Sequence, residues 1–116
     1  MKELPKSTKV VVIGGGVAGT SCAYHLAKFG WKDVILLERD QLTSGTTWHA
    51  AGLLGQLGAS STITKIRKYS LDLYKELEKT TGLSTGMKQN GAITVASTKE
   101  RMQELLRQAT TAQLSD

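Results

Sequence analysis

Apolar positions along the chain change their period repeatedly, and each change predicts an element. Lys9-Val10-Val11-Val12-Ile13 is a continuous β-branched run of strand length, the pattern of a strand buried in a parallel sheet. After Gly14-Gly15-Gly16 the spacing becomes helical. Ala18, Cys22, Leu26 and Phe29 predict a helix from Val17 to Phe29 with those four residues on its packed face and Gly30 as its stop. Asp33-Val34-Ile35-Leu36-Leu37 then predicts a second buried strand. Strand, helix and strand in so short a stretch make a parallel pair joined by a right-handed crossover.

Arg39 to Ser61 loses periodicity and is rich in Gly, Ser, Thr and Ala, as a functional loop with one short helix would be. Ile63, Ile66, Leu73, Tyr74 and Leu77 place an amphipathic helix over Thr62 to Leu77, ending near Gly82. Gly91-Ala92-Ile93-Thr94-Val95-Ala96 predicts a third strand. Lys88-Gln89-Asn90 before it has the composition of a turn. Ser97-Thr98-Lys99-Glu100 fits a capping box with Ser97 at the cap. The helix behind it would put Met102, Leu105, Leu106 and Ala109 on one face.

Parallel sheets are covered on both faces and have more strands than this pattern supplies. The expected fold is therefore α/β, a Rossmann-like βαβ unit with a parallel sheet that is incomplete. The missing layers would belong to a longer protein or to another subunit.

Composition narrows the class. With 116 residues, 40% hydrophobic and 22% charged, the chain suits one small globular domain. No apolar run has the roughly 20 residues of a membrane helix. One cysteine, Cys22, excludes an internal disulfide and a cysteine-based zinc site within the chain; it is read as a core residue and His25 as a surface or packing residue. The net charge of +5 is spread over several segments, and with three Tyr, two Trp and one Phe no aromatic platform for bases is apparent. No nucleic acid is expected. Met1 to Lys6 has neither the apolar core of a secretory signal nor the arginines of a transit peptide.

Gly14-Gly15-Gly16-Val17-Ala18-Gly19 matches the GxGxxG dinucleotide fingerprint, and its context gives it weight. It leaves a strand, opens a helix, and is followed by an acidic residue, Glu38, at the end of the second strand. Gly14 permits the tight turn, Gly16 lets a pyrophosphate approach the backbone, and Gly19 lets helix and strand pack closely. The helix N-terminus offers unpaired N–H groups to phosphate. Glu38 suits a ribose 2′-OH and repels a 2′-phosphate. The fingerprint alone does not separate FAD from NAD.

Beyond Glu38 the chain stays small and polar, as a backbone lying along a ligand would. Leu42-Thr43-Ser44-Gly45-Thr46-Thr47-Trp48-His49-Ala50-Ala51-Gly52-Leu53, together with the fingerprint, resembles the FAD-dependent dimethylglycine and sarcosine dehydrogenase family, within the D-amino-acid-oxidase-like flavoproteins. The likeness covers essentially the whole chain. It implies that Val17, Ala18, Glu38, Arg39, Gly45, Thr46, Thr47, Trp48, Ala50, Ala51, Gly52 and Leu53 line FAD and that His49 carries it covalently. The residues between Glu38 and His49 can span up to about 36 Å, enough to run from the ribose to the flavin ring. A ring methyl of oxidised flavin can lose a proton and become electrophilic, and a neutral imidazole nitrogen can attack it.

The resemblance further implies oxidation of an N-methyl amine such as sarcosine or dimethylglycine, with an electron-transfer flavoprotein or oxygen as acceptor. In full-length relatives it also implies tetrahydrofolate. A eukaryotic member would be mitochondrial and a bacterial one cytoplasmic. Residues 1–116 then form part of an FAD-binding domain with the substrate domain largely absent. No residue here is a convincing substrate base or carboxylate clamp, so the chain alone is not expected to turn over. Two alternatives stand beside this one. A non-catalytic, flavoprotein-like regulator of the pyruvate dehydrogenase phosphatase type differs at the covalent position, so His49 argues against it. A nicotinamide Rossmann dehydrogenase is opposed by the long loop.

Overall fold

A computed structural model of the chain describes residues 5–114. It divides into two compact units, residues 1–52 and 53–116.

In the first unit β1 (Val10–Ile13) and β2 (Val34–Leu37) pair in parallel around α1 (Val17–Lys28), with Val10 opposite Val34 and Ile13 opposite Leu37. The predicted crossover is present, with each of its three elements one residue shorter than expected. The Asp33 carboxylate fastens the open end of the sheet, accepting from the Thr8 hydroxyl at 2.8 Å and the Lys9 amide at 3.1 Å. At the other end the Gly14 amide donates to the Leu37 carbonyl at 2.8 Å and extends the ladder into the glycine turn.

The stop of α1 follows its sequence signal. Gly30 adopts φ +88, its amide bonds the Ala27 carbonyl at 2.9 Å, and the Trp31 amide bonds the Leu26 carbonyl at 3.0 Å. Those two bonds form a Schellman motif.

The packed face of α1 differs from the expected one. Gly19, Ala23 and Leu26 are half-buried, whereas Ala18, Cys22 and Phe29 are exposed. Close approach decides the rotation: a Cβ on Gly19 would collide with the Gly14 carbonyl oxygen and stand 3.4 Å from Val12 Cγ1. The face centred on Gly19 must therefore meet the sheet, and Cys22 is turned outward instead of into a core.

Both strands form, yet neither is buried. Val10 and Val12 are half-covered, and Ile13 on the opposite face is 85% exposed. Among the described residues no hydrophobic side chain is fully buried. The cause is the one foreseen for a parallel pair with a helix on one side only.

In the second unit α2 (Ser61–Thr81) begins with a true cap, the Ser60 hydroxyl accepting from the Ile63 amide at 3.3 Å, and ends at Gly82 with φ +69. Leu73, Tyr74 and Leu77 are half-buried as expected, but Ile63 and Ile66 are exposed. The segment before α2 folds back onto it. Thr64, only 5% exposed, accepts from the Gly58 amide and donates to the Ser60 carbonyl, both at 3.0 Å. Arg67 reaches the Leu57 carbonyl at 2.6 Å. After α2, the Glu78 carboxylate accepts from the Thr85 amide and hydroxyl, each at 2.7 Å, and these bonds lower its pKa.

Two expectations fail here. Residues 91–96 form no strand, and Ile93 and Val95 are 94% and 82% exposed. An extended segment becomes a strand only when paired, and the described part of this unit contains no other strand. The cap of α3 (Lys99–Gln113) is Thr98 rather than Ser97, its hydroxyl accepting from the Arg101 amide at 3.2 Å. A cap hydroxyl serves the amide two or three residues on, and the helix starts one residue later than the Ser97–Glu100 spacing suggested. Along α3 the Arg107 guanidinium grips Glu104 through two bonds of 2.7 and 2.8 Å. With help from Gln108, this holds the Glu104 carboxyl down to about 2.

Candidate cofactor site

The fingerprint glycines do what their positions require. Gly14 takes φ +100, a conformation that a side chain disfavours, and turns the chain out of β1. Gly16 is the N-cap of α1 and contributes no side-chain cap, and the first turn holds no acidic residue. The Val17 amide of that turn is taken by Thr47, and the remaining first-turn N–H groups, with the positive end of the helix dipole, face beyond Gly16. This is a fitting cradle for a pyrophosphate: bare backbone, favourable dipole and no competing negative side chain on the helix. Ala18, next in that turn, is exposed.

Glu38 sits at the end of β2, as predicted. Its carboxylate turns back to the fingerprint: Oε2 accepts from the Gly15 amide at 2.6 Å, and Oε1 accepts from the Arg39 and Asp40 amides at 2.8 and 3.1 Å. The Gly15 bond, then the Asp40 bond, pull its pKa below the ordinary carboxylate value, against a smaller opposing effect of burial. A carboxylate has about four lone-pair sites. Three are used, so one is left for a ribose hydroxyl.

Two residues to which the motif gives no role, Gly15 and Thr43, turn out to shape the site. Gly15 is buried, and a Cβ there would stand 2.5 Å from Leu42 Cδ2. Thr43 donates its amide to the Gly15 carbonyl at 3.0 Å while holding φ +67, an unusual conformation for a β-branched residue. Glycine and threonine in a variable position carry no periodic signal, which is why pattern reading passed over them.

Gly45 caps a 3-10 turn, Thr46–His49. Thr47 Oγ1 accepts from the Val17 amide at 2.9 Å, which brings this turn to the start of α1. Trp48 donates its indole N–H to the Ser44 carbonyl at 3.0 Å, and its ring lies 3.9 Å from that of His49, centroid to centroid. The indole therefore lies against the imidazole rather than in a core.

His49 Nδ1 lies 3.3 Å from the Gly45 carbonyl oxygen. A carbonyl only accepts, so this contact is a hydrogen bond in the tautomer that carries the hydrogen on Nδ1, in which the lone pair sits on Nε2. The Ala50 amide closes the turn on the Thr47 carbonyl at 3.2 Å, Ala51 is exposed, and Gly52 adopts φ +70. Thr46 and Arg39 are exposed; Leu53 falls in the second unit and is exposed as well.

Of the predicted cofactor residues, all but Leu53 lie within the first unit. Among the described residues no group of His, Cys, Asp and Glu is arranged to hold a metal ion, and no helix is long and apolar enough to cross a membrane.

A parallel βαβ unit with glycines at these positions and an acidic residue closing the second strand defines a dinucleotide-binding α/β protein. The sequence profile of the FAD dependent oxidoreductase family matches residues 9–115, and the chain belongs to that family. It is 48% identical over 107 residues to mitochondrial sarcosine dehydrogenase of Homo sapiens, covering 91% of this chain and 12% of that protein. With mitochondrial dimethylglycine dehydrogenase of Rattus norvegicus it shares 48% over 108 residues, 93% of this chain and 13% of the relative. With the mitochondrial pyruvate dehydrogenase phosphatase regulatory subunit of Mus musculus it shares 45% over 104 residues, 90% of this chain and 12% of the relative. The chain thus spans about an eighth of the length of these relatives. The resemblance to the sarcosine and dimethylglycine dehydrogenases holds along most of the chain, and the family is flavin-dependent rather than nicotinamide-dependent.

Proposed function

We propose that this chain is the FAD-binding portion of an oxidoreductase that oxidatively demethylates an N-methyl amine such as sarcosine or dimethylglycine, with the flavin bonded to His49. Residues 1–116 supply the phosphate cradle, the ribose carboxylate and the attachment turn; the substrate domain lies elsewhere. The observation that carries the reading is the attachment turn itself. Its Thr47 is bonded to the start of the fingerprint helix, and its histidine lies with Nδ1 3.3 Å from the Gly45 carbonyl oxygen.

The flavin, when bound, supplies hydride acceptance from the N-methyl carbon; the organic chemistry is the cofactor's. This chain's own residues bind and orient it. The glycine backbone and the α1 dipole hold the pyrophosphate. Glu38 keeps one lone-pair site for the adenosine ribose. His49 would hold the flavin covalently through a ring nitrogen, with the Gly45 carbonyl beside Nδ1 fixing how the imidazole is turned. Electrons taken later from the amine leave to an electron-transfer flavoprotein or to oxygen, and tetrahydrofolate belongs only to a full-length protein.

A second reading, the non-catalytic regulator, draws on the 45% identity to the phosphatase regulatory subunit. Identities of 45% and 48% do not separate the two. His49 argues for the dehydrogenase, because a regulator has no use for a covalent flavin. Acid denaturation of the FAD-loaded chain tests the choice. Flavin absorbance that stays with the precipitated protein, and is released from His49→Ala, supports the dehydrogenase reading. Flavin released equally from both overturns the covalent link and moves the regulator ahead.

A further inference from the structure

Helix α1 opens without a cap of its own. Its N-cap is Gly16, which has no side chain, although the N–H groups of a first helical turn need partners from outside the helix. Serine, threonine or aspartate would normally fill that role, but a side chain there would obstruct a phosphate approaching the backbone. The partner comes from thirty residues further along: Thr47 Oγ1 accepts the Val17 amide hydrogen at 2.9 Å.

The two positions are fitted to each other. A Cβ added to Gly16 would meet Thr47 Oγ1 at 2.9 Å, closer than ordinary contact. The bare glycine thus serves the backbone and also leaves room for the threonine hydroxyl. Two further bonds hold the intervening loop to the same glycine turn, Thr43 amide to Gly15 carbonyl at 3.0 Å and Gly15 amide to Glu38 Oε2 at 2.6 Å.

We infer that Thr47 is a positioning residue: its hydroxyl clasps the Thr46–His49 turn to the first turn of α1 and so sets where the His49 imidazole stands relative to the phosphate-binding backbone. His49 is two residues further along a tight 3-10 turn closed by the Ala50 amide on the Thr47 carbonyl at 3.2 Å, so it moves with Thr47. The hydroxyl accepts from Val17 with a lone pair and keeps its own hydrogen. It can donate that hydrogen to a phosphate oxygen, so cofactor binding tightens the clasp instead of displacing it. The part of this inference that concerns flavin rests on the covalent reading of His49; the clasp does not.

The test has two arms on the full chain. In the flavin-free chain, amide hydrogen exchange at Val17 is compared among the unaltered protein, Thr47→Val and Thr47→Ser. Thr47→Val keeps the shape but removes the acceptor and should speed Val17 exchange about fivefold, the ratio that a bond of ~1 kcal/mol carries. Thr47→Ser should restore it. An unprotected Val17 in the unaltered chain, or equal exchange in Thr47→Val, overturns the clasp. In the second arm each protein is loaded with FAD and acid-denatured. Thr47→Val should bind flavin but release most of it, while Thr47→Ser retains it. Retention by Thr47→Val equal to the unaltered chain overturns the positioning role. If the unaltered chain and His49→Ala both release all flavin, the covalent reading has failed, and the exchange arm alone decides the clasp.

Discussion

The two units use their sequence differently. In residues 1–52, bonds between distant positions hold the structure: Thr8 to Asp33, Gly15 to Glu38, Thr43 to Gly15 and Val17 to Thr47. Beyond residue 52 most bonds among the described residues are local, helix caps and side chains returning to a carbonyl four residues back, as Ser70 does to Ile66 and Thr110 to Leu106. Neither unit has a fully buried hydrophobic side chain among the described residues. The first nonetheless reaches a specific geometry, because glycine sterics and backbone bonds fix it. The second is specified mainly by amphipathic pattern. A pattern says which face wants cover without supplying the cover.

The largest expected effect breaks the first unit at its closest approach. Gly19→Ala drives a Cβ into the Gly14 carbonyl, a backbone atom that cannot swing away. It should destabilise the unit by about 2–3 kcal/mol in urea denaturation followed by far-ultraviolet circular dichroism. Gly58→Ala in the second unit meets Ile63 side-chain atoms first and should cost less, because a side chain can shift. Equal costs would erase the contrast between the units.

Thr64→Val removes both bonds of the one buried polar side chain and leaves the Gly58 amide unmatched. A loss of about 1–2 kcal/mol is expected, with faster amide exchange at Gly58.

Acid should separate the units by carboxylate. The folded pKa of Glu38 lies below its ordinary value of 4.5. Its contribution is therefore complete above the ordinary range and is lost as pH falls through the lowered value. Gly15 amide exchange, corrected for its intrinsic pH dependence, should accelerate over that interval. Glu104, held to about 2 chiefly by Arg107, should keep its ion pair to lower pH, read from its side-chain carboxyl resonance.

The smallest effect is a gain. Thr43 holds φ +67 against β-branched sterics, and Thr43→Asn should stabilise the first unit by about 0.5–1 kcal/mol while keeping the amide bond to Gly15. No gain would mean that the loop already relieves that strain through its other contacts.

The βαβ unit was legible because three local rules agreed: a β-branched run, glycines at fixed offsets and a helical period ending at Gly30. The rotation of α1 was not, because it follows from the contact between Gly19 and Gly14, and a count of apolar positions placed Cys22 and Phe29 on the wrong side. Residues 91–96 show the opposite failure. Ile93, Thr94 and Val95 have the propensity of a strand, but propensity does not supply a neighbour to pair with. At the candidate site the motif gave Glu38 and His49 their positions. It did not show that Glu38 bonds Gly15, or that Thr47 rather than Thr46 meets Val17, since those pairings depend on how the loop folds back in space.

Adding FAD to the isotope-labelled chain and following the backbone amide resonances shows whether the fingerprint turn of the first unit seats the cofactor. Gly15, Gly16, Val17 and Ala18 should shift in a saturable way, and Gly14→Val should abolish the shifts in a chain that otherwise keeps its α1 signals. Resonances of those four amides that stay in place at saturating FAD would contradict that seating.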